Sequence, residues 1–133
     1  MPQAGEVLYE GHSSYADISD VKLRFILSED QTTIHDVSIT CEGLSAKLQS
    51  GTTQSNVSIS RVVQKYSGQF PVNYNGTTND LKMGSSSITN LTFSGETAQA
   101  QLDYVYHMTG VGMNTQDTDI PFGETWFELE AVG

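Results

Sequence analysis

Apolar residues in this chain recur with a period of two, and that rhythm narrows the fold more than any other feature. In residues 20–27, Val21, Leu23, Phe25 and Leu27 fall on one side and Lys22 and Arg24 on the other. A strand sends successive side chains to opposite faces, so this run reads as a half-buried β-strand with one wet face. No window of about a dozen residues keeps apolar positions at helical spacing, while Ser, Thr, Gly, Asn and β-branched residues abound. The alternation returns in residues 33–40, where it shifts register near Asp36, and in residues 56–63. Leu102, Tyr104, Tyr106 and Met108 oppose Asp103, Val105 and His107, and Phe127, Leu129 and Ala131 oppose Trp126, Glu128 and Glu130. With shorter segments at residues 6–10, 44–49 and 67–74, about nine strands are predicted.

Short strands at this spacing predict an all-β fold, a two-sheet antiparallel β-sandwich, with a closed β-barrel as the alternative. A length of 133 residues suits a single domain, residues 1–133. The inner faces are expected to include Val21, Leu23, Phe25, Ile59, Leu102, Tyr104 and Leu129.

Turn chemistry separates the strands. Ser28, Glu29, Asp30 and Gln31 sit between two alternating runs as a four-residue hairpin loop would, and Asn75-Gly76 is a pair that tolerates positive φ. Two connections read as longer, the Gly/Ser/Thr/Gln stretch of residues 50–55 and residues 109–123. Loops beyond about 12–15 residues are uncommon in compact domains and often functional, so residues 109–123 are where a site is first expected. An internal echo also runs along the chain. Residues 33–40 match residues 87–94 in polarity position by position, and Glu42, Ala46 and Leu48 continue the match with Glu96, Ala100 and Leu102. A shorter echo pairs residues 7–11 with residues 72–76. Two β-meanders of related design would produce both.

Charge removes whole classes of function. Sixteen acidic residues against six basic ones give a formal charge of -10, which repels a phosphate backbone or an anionic membrane, so nucleic acid is not an expected partner. A lone cysteine, Cys41, forms no internal disulfide and supports no zinc site built on two thiolates. No stretch approaches the roughly 18 apolar residues of a membrane helix, and no charged-then-apolar leader opens the sequence. Few lysines, many Ser and Thr, and short strands with polar loops make the chain similar to small secreted or surface bacterial β domains, sugar-binding and adhesin-like modules among them. That likeness of texture implies an extracellular or cell-surface location.

Candidate chemistry is sparse. Cys41, His12, His35 and His107 supply the residue types of a thiol nucleophile and its base, but no local signature surrounds Cys41, and a strand-end cysteine is more often a small buried hydrophobe. No serine stands in a G-x-S-x-G elbow. Glu128 and Glu130 lie on one face, roughly 7 Å apart by the strand rise, a separation that suits glycoside cleavage and equally suits a solubilised edge. For a metal, the best candidates are Asn114, Asp117, Asp119 and Glu124, oxygen donors in an acidic loop that a calcium ion favours. Their spacing resembles only the start of an EF-hand loop, since the glycine and closing glutamate are not in place. Asp17, Asp20, Glu29 and Asp30 form a second acidic group. No cofactor is otherwise expected.

Aromatic residues give the last handle. Trp126 shares the face of Glu128 and Glu130, opposite Phe127 and Leu129, and is expected to be exposed; Tyr106, Tyr74 and Tyr66 stand near Asn or Gln. Such residues can stack on sugar rings. The function expected is therefore a non-catalytic binding or cell-surface module with carbohydrate as the ligand class. One alternative is a structural or assembly protein contacting other protein subunits. The other is a small hydrolase or a lipocalin-like binder of apolar ligands.

Overall fold

The computed structural model describes residues 4–15, 18–50, 53–108 and 118–132, with side chains described outside residues 45–60 and 107–120. The chain forms nine strands: β1 (Val7–Tyr15), β2 (Ile18–Leu27), β3 (Thr33–Ser50), β4 (Thr53–Pro71), β5 (Thr77–Thr78), β6 (Leu81–Met83), β7 (Ser86–Ser94), β8 (Thr97–Met108) and β9 (Thr118–Val132). They pair in the order β4-β3-β2-β1-β9-β8-β7-β5, with β6 also on β7, and every pairing is antiparallel. The fold is all-β, and the sheet curls into a half-barrel.

Connectivity divides the sheet into two meanders. One runs outward from β1 to β4, the other inward from β5 to β9, and the β1–β9 ladder, from Leu8↔Val132 to His12↔Glu128, joins them. Within it Gly11 faces Leu129, and a Cβ there would run into the Glu128 carbonyl oxygen.

The echo between residues 33–40 and 87–94 has a physical basis. Asp36 on β3 and Asn90 on β7 are both in the left-handed region, at φ 52° and 53°. Asp and Asn visit that region more readily than other residues with a Cβ. In each strand the extra residue makes a bulge, against β2 between Arg24 and Ile26 and against β8 between Thr89 and Thr92. Inward positions therefore run 34, 37, 39 in β3 and 88, 91, 93 in β7, all six buried. This explains the shift in alternation at Asp36. The two strands lie third from the β1–β9 junction on either side, but the next strand lies outward of β3 and inward of β7, so the meanders are not copies in chain order.

The core fills the concave side. Val21, Leu23, Phe25, Leu102, Tyr104 and Leu129 are buried as expected, while the Ile59 side chain lies outside the described residues. Aromatic rings close the interior: Phe25 on β2 and Phe93 on β7 have centroids 6.1 Å apart, and Tyr9 lies 5.2 Å from Phe93 and 5.8 Å from Phe25. At the other end of β8, Phe122 stacks on Tyr104 at 5.6 Å. It points inward because β9 is bulged opposite Tyr104 and Val105, with Gly123 at φ 89°.

Several boundaries differ from the sequence reading. Residues 50–55 are not a long connection: Ser50 pairs with Thr53, and β3 and β4 form one long hairpin that absorbs residues 44–49. Its Ser, Thr and Gln read as loop because they are polar, but polarity alone does not bar a residue from a strand. Residues 118–123 of the predicted second loop belong to β9 and pair with β8; residues 109–117 lie outside the described residues. The connection between β2 and β3 spans five residues, 28–32, with Gln31 at φ 63°. Asn75-Gly76 lies in a turn closed by the Gly76 N–H donating to the Asn73 carbonyl, without positive φ at either residue. The short strands β5 and β6 escaped the pattern, two and three residues being too few to show a period.

Two substitutions test this core. Gly11→Ala is expected to destabilise by about 1–3 kcal/mol, the range for forced overpacking, because a backbone carbonyl has to move at the junction of the meanders; chemical denaturation measures it. The Tyr104 hydroxyl is buried near the Cys41 thiol and the Tyr66 and Tyr106 hydroxyls and has no partner at hydrogen-bond geometry among the described residues, whereas the Tyr9 hydroxyl donates to the Gly95 carbonyl at 2.7 Å. Tyr104→Phe is expected to be neutral or stabilising and Tyr9→Phe to cost about 1 kcal/mol. The same melts report both.

Candidate functional site

Strand β9 alternates strictly near its end. Phe127 and Leu129 point into the core, and Glu124, Trp126, Glu128 and Glu130 point to solvent. Trp126 is 51% exposed, which no other aromatic among the described residues approaches. Register sets its neighbours: Gln101 of β8 stands opposite Trp126, Gln99 opposite Glu128, and Asp103 opposite Glu124. The Gln99 amide donates to both Glu128 carboxylate oxygens, at 2.9 and 3.2 Å, and Asn90 donates to the Gln101 side-chain oxygen at 2.5 Å. On the β1 side His12 stands opposite Glu128. The result is an indole on an open polar face, ringed by held amides and carboxylates. Glu128 and Glu130 share this outward face, as expected, and Glu128 is occupied by Gln99.

The other aromatic candidates are not brought to it. Tyr106 and Tyr66 are half-buried and pack against the core, the Tyr66 ring from β4 and the Tyr106 ring from β8. Burial pushes the Tyr66 hydroxyl above its ordinary range. Tyr74, between β4 and β5, lies 5.3 Å from Phe93 and belongs to the opposite end of the sheet from Tyr106. There it borders a depression with Glu6, Gln31 and Glu96.

The acidic candidates fall largely outside the described residues. Asn114 and Asp117 lie outside the described residues, Asp119 is placed only as backbone on β9 opposite His107, and Glu124 is exposed on the Trp126 face. Among the described residues no three His, Cys, Asp or Glu side chains converge as metal ligands would. In the second group, Asp20 approaches His12 at 3.3 Å while Glu29 and Asp30 lie in the hairpin at the other end of β2, and Asp17 is outside the described residues. Asp30 is a turn residue. Its Oδ1 accepts from the Ser28 hydroxyl, the Thr32 hydroxyl and the Thr32 N–H, and these bonds hold its carboxyl below the usual carboxylate range.

Cys41 is fully buried in β3 between Val21 and Val62, and burial raises its thiol above the ordinary value, which makes it a core residue and a poor nucleophile. His35 bridges Glu6 at 2.6 Å and Asp36 at 3.2 Å, tying the start of β1 to the β3 bulge. The His107 side chain is outside the described residues.

Sequence reasoning missed one feature of the outer surface. Ile26 sits on the solvent side of β2, between the outward Arg24 and the turn, yet is only 5% exposed and is not part of the core cluster. It and Leu8 form the floor of a depression rimmed by Arg24, Ser38, Asp36 and Lys65. The signal was present as an apolar residue out of phase in residues 20–27. No protein-family profile, curated protein or solved structure matches this chain.

The Asp30 geometry predicts a pH effect. A carboxyl held low by native bonds contributes stability above its unfolded pKa, and that contribution disappears as pH falls through the lowered folded value. Asp30→Asn is therefore expected to lower the melting temperature near neutral pH and to narrow the gap to the parent below about pH 4, near the ordinary aspartate value. Melting curves across pH test it.

Proposed function

We propose that this chain is a non-catalytic binding module whose contact surface is the outward face of β8 and β9, with Trp126 as its anchor. The observation that carries the reading is the half-exposed indole. Large aromatics at a protein surface are enriched where something is bound, and here the surrounding side chains are already fixed by hydrogen bonds to one another. A sugar ring fits such a platform, with the indole stacking on it and Gln99, Gln101 and Glu128 offering polar contacts. In architecture, the continuous ladder and the Phe25–Phe93 contact favour a barrel-like closure over two separate sheets.

A second reading, a protein that contacts other subunits, draws support from β4. Among the described residues this nineteen-residue strand has a partner along one edge only, and long free edges are sites of protein pairing unless they are guarded.

The test is a thermal-shift panel of soluble glycans on the parent and on Trp126→Ala. The parent is expected to gain about 2.7 kcal/mol at a hundredfold excess over the dissociation constant. The variant should lose that gain while its own stability stays within about 0.5 kcal/mol of the parent, as exposed substitutions do. A large loss of stability in the variant would place Trp126 in a structural role and sink the reading.

A further inference from the structure

Charge is distributed unevenly along this fold. No Lys or Arg follows Lys82, so residues 83–133 carry seven carboxylates and no cation except through histidine, whereas five of the six cations lie in residues 22–65. On β9 the outward row reads Glu124, Trp126, Glu128, an apolar side chain between two negative charges. On β4 the outward row reads Arg61, Val63, Lys65, an apolar side chain between two positive charges, and Val63 is 46% exposed. Both rows have the two-residue spacing of a strand, about 6.6–6.8 Å. Beside the β4 row lies the depression with Leu8 and Ile26 as its floor and Arg24 and Lys65 on its rim.

We infer that the partner of the Trp126 face is a second copy of this chain, with Trp126 of one copy seated in the Leu8–Ile26 depression of the next and its flanking glutamates against Arg24 and Lys65. The inference rests on the reading of that face as a contact surface. The apolar floor accounts for an indole, which buries a large area and is attracted to a cation over its face. The charges account for orientation, since carboxylates meet cations only when knob and socket belong to different patches. Of the two socket cations, Arg24 also stands 4.0 Å from Glu10, and the other charges near the contact are fixed locally, Arg61 3.7 Å from Glu42 and Asp36 3.2 Å from His35. Because knob and socket are different surfaces, the contact is heterologous, so each copy can hold two neighbours and the assembly grows past a dimer unless it closes into a ring.

The experiment is sedimentation velocity on the full chain over a concentration series, at about 0.01 M and about 1 M salt, between which the Debye length falls from about 30 Å to about 3 Å. Concentration-dependent species at low salt, weakened roughly tenfold or more at high salt, are expected for the parent. Trp126→Ala, which keeps the socket, and Arg24→Glu with Lys65→Glu, which keeps the knob, should each be monomeric alone. Mixed together they should form a one-to-one dimer and nothing larger, because one productive contact remains per pair. A parent that stays monomeric at low salt overturns the inference, as does a mixture that fails to dimerise. If the parent is monomeric but gains stability from a glycan through Trp126, the binding face stands and the second copy is wrong. If it is monomeric and no glycan shifts it, both fall.

Discussion

The ladder between β1 and β9 is the constraint on which the rest of the molecule depends. Each meander could form its own hairpins from local contacts, but a two-stranded hairpin alone is marginal in water, and the concave side of either meander exposes its apolar face until the other covers it. Five residue pairs make the connection, and the absence of a side chain at Gly11 lets the two backbones approach. Once joined, the sheet curls until Phe25 of one meander meets Phe93 of the other. The core is then a property of the pair, and cooperativity between the halves is expected to follow from it.

The same curl decides what is left outside. Residues on the convex side of β8 and β9 look away from the interior, so a large side chain there finds no neighbouring layer to cover it. Trp126 remains exposed for that reason, and its polar neighbours are ordered by cross-strand hydrogen bonds rather than by burial. On the other side of the sheet's centre the β3 bulge and the start of β1 crowd around Ile26, and His35 ties them together through Glu6 and Asp36. An exposed aromatic patch and a depression with an apolar lining thus arise from the same curvature.

Much of this was legible from alternation. The inward rows of β2, β8 and β9, the exposure of Trp126 and the burial of Cys41 follow from period two and the size of the side chains. What escaped had physical reasons. The long β3–β4 hairpin is rich in Ser, Thr and Gln, which composition reads as loop although a solvent-facing strand accepts them. Phe122 turned inward because a bulge at Gly123 resets the phase, and nothing in the adjacent Asp119, Ile120 and Pro121 announces it. The depression over Ile26 needed three strands and a bulge to exist, so a one-dimensional pattern could show only an unexplained apolar residue.

The bulges at Asp36 and Asn90 carry a further consequence. Each inserts one residue that turns the strand's inside outward and back, so the count of residues between Ile34 and Val37, or between Ile88 and Leu91, matters more than their identity. Exchange of Asp36 for glycine leaves the phase of the strand intact, but its deletion would present Val37, Ile39 and Cys41 to water and draw Ser38 and Thr40 inward. Sequences that vary at these two sites among residues that tolerate positive φ while never changing length there would be the evolutionary trace of that phase constraint.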